Sequence, residues 1–422
     1  MMKAALDQGA LPVMLCLLVG CGTCSEPPSS PTEAPPGAGE ATPAGQVAAV
    51  PEQTQRALEA LGYFPTAPTD NPEDQGVTTH VASVATKGLN LSSSRRRASA
   101  LLTDSDGELV HRWVVGRSED PIWPWMHVEP LPNGELIVIA KDHHVAKRGW
   151  DSSLIWRRLL GAHHDLAIRE DGHMLVLVRG RQEIIHRGES MTVLADGIAT
   201  LSPDGEVQRQ VELLPLLRDS VSPGRLDRIK AAVEEIPLGT LLRPGGAGDL
   251  LHANSIEILE REIPDVAPAG SLLLSFRALS RIAIVDAEVS EVLWMWGQGE
   301  LDGQHDATQL DNGNILLFDN GLRRGSDSRV IEVNPVTREI EWTFAAAGFF
   351  SRLRGGAQEL PGGNILITES DNGRAFEVTR SGEMVWEFWN PDVRPVEDEM
   401  VRGVIYRMNR FPESYFAQPR SD

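Results

Sequence analysis

From about residue 77 the hydrophobic and polar positions fall into two alternating phrases, and both have the two-residue period of strands. The first is a strand, an Asp-Gly type turn and a second strand that ends in tryptophan. It runs from Ala100-Leu101-Leu102-Thr103 through Asp106-Gly107 to Trp113, and returns over 198–207, 282–294, 330–342 and 376–386, with a shortened copy at Leu154-Ile155-Trp156. The second is a polar step, a short amphipathic stretch, a turn such as Asn312-Gly313, and a hydrophobic strand such as 315–318. It occupies 126–140, 163–178, 252–276, 305–318 and 355–368, and residues 401–408 supply a sixth copy.

This alternation predicts an all-β fold, a six-bladed β-propeller spanning 77–422 as one domain. The outer hairpin near residue 100 would pair with the last inner strands near residue 405, so that N-terminal and C-terminal strands close one blade. Closure of that kind removes exposed sheet edges. One segment breaks the rhythm: residues 213–249 have helical spacing through Leu216-Leu217 and Leu226 to Val233, then Pro244-Gly245-Gly246. They form a small helical insertion over the propeller mouth, either a lid or a surface excursion.

Upstream of the repeats the text has other uses. After Lys3, the apolar run 10–20 is too short to span a membrane and reads as a secretory segment within residues 1–24. Its end, Leu18-Val19-Gly20-Cys21, resembles a bacterial lipobox, which implies lipidation of Cys21 and an exported lipoprotein of the cell envelope, in the periplasm or at the cell surface. A plain cleaved signal is the alternative. Residues 25–50 are a Pro-rich tether, and residues 51–76 hold a short helix, with Leu58 and Leu61 on one face and Gly62 as its stop, followed by a linker.

Composition narrows the partners. The 60 acidic residues outweigh 39 Lys and Arg, for a net charge of −21, so the basic footprint of a nucleic-acid or anionic-lipid binder is missing. Membrane contact is expected only through the lipid, and the partner is a small molecule. All 3 cysteines, Cys16, Cys21 and Cys24, lie near the N-terminus, which excludes a disulfide framework or a Cys-ligated metal in the folded body. A phosphate-binding Walker loop, a dinucleotide fingerprint and a His-Glu-x-x-His motif are all missing, so no cofactor is expected.

Aligning the inner hairpins on their turns puts His164, His252 and His305 in one slot facing the axis, three of 11 histidines. Asn254 shares the face of His252 two residues on. Arg277 ends the same hairpin, and its planar fork suits sulfate, phosphate or carboxylate, with Arg281 competing for the role and a surface ion pair as the bland alternative. Asp165 and Asp306 either orient the imidazoles beside them or cap strand entries. Trp123, Trp125, Phe349 and Phe350 are candidates for an aromatic wall or for core packing.

The phrases Asp249-Leu250-Leu251-His252-Ala253-Asn254-Ser255, Leu274-Ser275-Phe276-Arg277, Gly303-Gln304-His305-Asp306-Ala307, Phe318-Asp319-Asn320-Gly321 and Gly356-Ala357-Gln358 resemble those of bacterial arylsulfotransferases, over about residues 76–391. The resemblance implies a six-bladed propeller that moves a sulfuryl group from a phenolic sulfate donor to a phenolic acceptor without the nucleotide donor PAPS. It makes His305 look like a transiently sulfated nucleophile. His252, Asn254 and Arg277 look like the groups that bind sulfate and stabilise the transition state, and His164 like the histidine that moves the phenolic proton. The residues alone leave two rivals: a metal held by three imidazoles, and a non-catalytic envelope scaffold.

Overall fold

Short runs of β-branched, aliphatic and aromatic residues between Gly-containing turns can bury both faces only by stacking as sheets, and they do so here as successive antiparallel meanders. The computed structural model describes residues 66–94, 98–116, 124–232, 236–325 and 327–416. The predicted secretory segment, Cys21, the tether and the helix at Leu58 and Leu61 lie outside the described residues.

Sheet one joins Ile405–Phe411, Leu89–Ser94, Ser99–Thr103 and Leu109–Val114, so its innermost strand comes from the far end of the chain. Sheet two takes Trp125–Pro130, Leu136–Ala140, His144–Arg148 and Leu154–Leu159. Ala162–Ile168, Met174–His186, Glu189–Leu201 and Val207–Glu212 make sheet three. Sheet four is built from Ala253–Ile258, Leu272–Phe276, Arg281–Val285 and Val292–Trp296. In sheet five the strands are His305–Gln309, Ile315–Asp319, Arg329–Val333 and Ile340–Phe344. Sheet six contains Gly356–Glu359, Ile365–Glu369, Arg374–Val378 and Met384–Trp389, with Gly76–His80 added at its outer edge.

The innermost strand of each sheet touches that of the next, and the innermost strand of sheet six touches that of sheet one. Between every neighbouring pair lies a separate apolar cluster. The second strands are therefore buried on both faces, which is why Leu136–Ala140 and Ile315–Asp319 read as continuous apolar runs rather than alternating ones.

The recurring tryptophan has a definite task. Indole Nε1 of Trp156, Trp294, Trp342 and Trp386 donates to the carbonyl of Pro203, Pro335, Arg380 and Ser105 at 3.2, 2.9, 2.8 and 2.7 Å, each on the outer turn of the following sheet. A buried indole needs an acceptor, and here satisfying it clips one sheet to the next. The bond from Trp386 to Ser105 clips sheet six to sheet one.

Three details differ from the sequence reading. The shortened copy at Leu154 is a full strand, Leu154–Leu159. Residues 401–408 are not one hairpin: Glu399–Gly403 joins Thr66–Pro68 and Val393–Val396 in a separate three-stranded sheet, and only Ile405–Phe411 enters sheet one. Both strands mix apolar residues with arginine and only Val404 lies between them, so pattern alone does not separate them. Finally, Gly76–His80, inside or beside the expected linker, is the fifth strand of sheet six.

The insertion forms helices α1 (Leu214–Leu217), α2 (Pro223–Ala232) and α3 (Leu238–Leu241). Leu214, Leu217, Leu226, Ile229 and Leu241 extend the cluster between sheets three and four. The long hairpin of sheet three reaches out to hold it, with His186 Nε2 2.7 Å and Arg187 Nη2 2.6 Å from the Asp227 carboxylate. Among the described residues no helix is long and apolar enough to cross a membrane.

Candidate active site

The inner strands enter their sheets through bulges, and the bulges place the chemistry. Register slips between Ala162 and Leu166, between Ala253 and Ser255, and between His305 and Thr308. At or beside each slip a non-glycine residue is left-handed: His164 at φ 54°, His252 at φ 52° and Asp306 at φ 55°. Such residues cost about 1–3 kcal/mol each and persist where packing over-determines them, often at functional sites.

Hydrogen bonds to the next sheet fix which residues are equivalent. Asp165 Oδ2 accepts the Ile256 N–H at 3.1 Å, Ser255 Oγ accepts the Ala307 N–H at 3.1 Å, and Asp306 Oδ2 accepts the Ala357 N–H at 2.9 Å. The residues just before these three, His164, Asn254 and His305, therefore share one slot. His252 sits two residues earlier, so alignment on the turns misplaced it: the turn between Ile258 and Leu272 is long and has no Asn-Gly step to count back from. In sheet six the slot is Gly355, where a Cβ would strike the Phe318 ring at 2.4 Å. Asp165 and Asp306 tie strand to strand, and their other oxygens flank the Arg407 guanidinium at 3.2 and 2.9 Å.

His305 is held in one tautomer. Asn320 Nδ2 donates to the carbonyls of Ser351 and Arg354, both at 2.7 Å, which turns its Oδ1 toward His305 Nδ1 at 2.7 Å. An oxygen acceptor requires a proton on Nδ1, so Nε2 carries the lone pair. Burial, then the neighbouring charge of Arg277, hold its pKa well below 6.5, against the bond to Asn320. The imidazole is neutral at pH 7, as a nucleophile must be.

His252 is fixed by a carboxylate. Its Nδ1 donates to Asp249 Oδ2 at 2.5 Å, an oxygen that also accepts the Gly245 N–H at 2.7 Å. Burial outweighs the pull of Asp249 and lowers the His252 pKa to about 4. His164 packs edge-on against it, ring centroids 4.9 Å apart, and its Nδ1 lies 2.8 Å from His163 Nδ1. Burial and then His252 keep His164 well below its ordinary pKa.

A cavity of about 730 Å³ opens over these groups, lined by His164, His252, Arg277, and Arg243 to Gly246 of the insertion. Met126, Ala278, Leu322 and Leu353 supply its apolar wall. Among the described residues Asp249 is the only carboxylate on the lining, against Lys141 and six arginines. This basic cavity, in a chain of net charge −21, has the charge to suit an anion. Arg277 is the clearest receptor: its Nε is buried with no hydrogen-bond partner, and burial lowers its pKa. Arg281 is engaged elsewhere, by Met295 Sδ at 3.3 Å and by Gln298.

Two of the sequence candidates lie outside that lining. His305 is 2 % exposed and Asn254 fully buried. Asn254 Nδ2 donates to the Gln304 carbonyl at 2.8 Å, so it positions the residue that precedes His305. The fields of Arg277 and His252 both reach His305. Trp125 and Phe349 are core residues, Phe350 is half-buried, and Trp123 lies outside the described residues. Among the described residues no group of three or more His, Cys, Asp or Glu is arranged to hold a metal ion.

Sequence reasoning missed Asp249, Asn320 and Arg407. Asp249 had a signal three residues before His252, and Asn320 lies two residues past Phe318, the strand partner of His305. Arg407 had none, being 242 residues from Asp165.

The family model for arylsulfotransferase (ASST) matches residues 127–391. Curated proteins give no match. Solved structures that resemble this chain include a protein of unknown function from Bacteroides caccae, at 14 % identity and a TM-score of 0.49, covering 76 % of this chain and 98 % of that one. Virginiamycin B lyase from Staphylococcus aureus follows at 10 % identity and 0.41, covering 78 % and 87 %. The Dos1 propeller stands at 10 % and 0.40, covering 80 % and 79 %. Likenesses this remote carry no functional argument.

Proposed function

The chain belongs to the arylsulfotransferase family, and from that premise we propose that it moves a sulfuryl group from a phenolic sulfate donor to a phenolic acceptor through a transiently sulfated His305. The observation that carries this reading is the His305 tautomer, fixed by Asn320 beside the unpaired Arg277. In the first half-reaction the Nε2 lone pair attacks sulfur, the N–S bond forms, and the S–O bond to the aryl group breaks. The electron pair leaves on the phenolate, which the cationic cavity stabilises. In the second half the acceptor oxygen attacks the same sulfur and the N–S bond breaks. The departing phenolate takes its proton from solvent, and in the second half His164, neutral and on the cavity wall, takes the acceptor's proton and releases it to solvent, so the cycle is proton-neutral. Arg277 holds the sulfuryl oxygens throughout, while His252, clamped by Asp249, supports the same site. Asn254 contributes by holding the Gln304 carbonyl behind His305.

The same reading includes a six-bladed propeller closed by Ile405–Phe411, supported by the cyclic contact of inner strands and by an apolar cluster between each pair of neighbours. It also makes the protein an exported lipoprotein of the cell envelope, attached to the membrane only through Cys21, on the strength of the lipobox-like ending.

Mass spectrometry after brief exposure to 4-nitrophenyl sulfate, with neutral handling throughout, tests the covalent step. A sulfuryl adduct on the His305 peptide, discharged by added phenol, is expected. Turnover with the adduct on another residue would rule the assignment out.

A further inference from the structure

The cavity holds more positive charge than one sulfuryl group uses. Arg354 is paired with Asp371 at 2.6 Å, and Arg323 faces Asp302 at 3.4 Å. Arg225 donates to the carbonyls of Leu250, Ala278 and Asp249 at 3.1, 3.1 and 2.7 Å, which satisfies its N–H groups and leaves its charge uncompensated. Asp249, the one acid on the lining, is already shared between His252 and the buried Arg179, whose Nη2 is 4.0 Å away. Arg277 matches the single negative charge of a sulfate monoester. Arg243 and Arg352 then remain on the same cavity, and among the described residues no carboxylate is set against them.

Both are carried on loops that the structure pins. Arg243 follows α3 and leads into Gly245, whose N–H is held by Asp249 at 2.7 Å. Arg352 lies between Ser351, whose N–H donates to Ser328 Oγ at 2.9 Å, and Leu353, whose N–H donates to Asp371 Oδ2 at 2.7 Å. These loops precede sheets four and six, which flank the sheet bearing His305. An ordinary exposed arginine is neutralised by solvent and counterions. Two carried on pinned loops beside a cavity already lined by Arg277 and Arg225 instead raise the local concentration of multiply charged anions.

We infer that the substrate carries a second anionic group on its aromatic portion, a carboxylate or its equivalent, which Arg243 and Arg352 receive while Arg277 holds the sulfuryl group. This inference rests on the proposed sulfuryl transfer, and its test separates the two. The full-length protein and the Arg243→Gln/Arg352→Gln double variant are each assayed with 4-nitrophenyl sulfate and with 4-carboxyphenyl sulfate. Comparing the ratio of kcat/KM between proteins cancels the difference in leaving groups. The double variant is expected to lose about tenfold more on the carboxylated donor, mostly in KM, and 0.5 M salt, about a threefold shorter screening length than low-salt buffer, is expected to erase the difference. Equal losses on both donors would overturn the inference. Where neither donor is turned over, the transfer reading fails and calorimetric binding decides alone: carboxylated ligand bound about tenfold tighter than phenyl sulfate, only with both arginines present, supports the second-anion site, and equal affinities refute it.

Discussion

The inner strands carry opposite chemistry at their two ends. Where they begin, His164, His252 and Arg277 face a cavity with one carboxylate among many cations. Where they end, a cavity of about 1250 Å³ is lined by Glu129, Asp165, Glu257, Glu260 and Asp306, with Arg407 at its inner edge. His305 and Asp306 are adjacent in sequence, yet His305 lies under the field of Arg277 at the basic end and Asp306 lines the acidic cavity. The left-handed Asp306 makes that switch over a single residue. Arg407 stands between the ends: it pairs with Asp165 and Asp306, and its charge also reaches His305. The lesson is that sign along an axial channel is set residue by residue, while the net charge of the chain predicts neither end.

The sharpest way to break this comparison is at the beginning of the strands. His305→Ala is expected to lower kcat about 10⁴-fold or more in an aryl sulfate assay, with thermal unfolding close to wild type. An unchanged rate would remove the nucleophile from the basic end. Next comes Asn320→Leu, which frees the tautomer of His305 and is expected to reduce kcat about 10³-fold with little change in KM. Because it also strands the Ser351 and Arg354 carbonyls, a fall in stability of about 1–3 kcal/mol should accompany it. A loss confined to KM would show that Asn320 acts on binding and not on the imidazole.

Arg407→Met probes the boundary. Leaving Asp165 and Asp306 buried without their cation is expected to cost about 3–5 kcal/mol in chemical denaturation. Adding Asp165→Asn and Asp306→Asn should restore part of it, and no restoration would mean that the arginine serves packing alone.

The smallest effect is on pH dependence, where the two ends should slope in opposite directions. The His252 pKa is lowered by burial to about 4, so between pH 6.5 and 4 the unfolded chain binds more protons, and stability falls as pH falls. Glu257 is raised by burial, with Asp306 and Asp165 adding to the rise, to about 8. Between pH 4.5 and 8 the folded state holds the extra proton, and stability falls as pH rises. Urea midpoints across pH 5 to 8.5 should show the alkaline decline in wild type and a flatter one in Glu257→Gln. Identical slopes would dismiss Glu257 as its source.

Much of the architecture was legible because its repeats are local. The strand–turn–strand–Trp phrase encodes a sheet and, through Trp156, Trp294, Trp342 and Trp386, the clip to its neighbour. His164, His252 and His305 stand out in the sequence because each lies near the start of an inner strand. What stayed hidden was non-local or lacked a landmark in the sequence. The turn between Ile258 and Leu272 has no Asn-Gly step like 312–313 to count back from, so the conspicuous His252 draws the alignment away from Asn254. The unbroken Val401 to Met408 text conceals a change of sheet after Gly403. The cations of Arg243 and Arg352 come from loops far apart in sequence, and only the arrangement of sheets four to six brings them to one cavity.

The strand Ile405–Phe411 is innermost in sheet one, and it carries Arg407. A ribosome therefore makes Arg407 after every residue it pairs with and after the whole basic cavity. Until it arrives, Asp165 and Asp306 face each other uncompensated, and Leu89–Ser94 has an open edge. Pairing of that one strand therefore covers the open edge and neutralises the two carboxylates together.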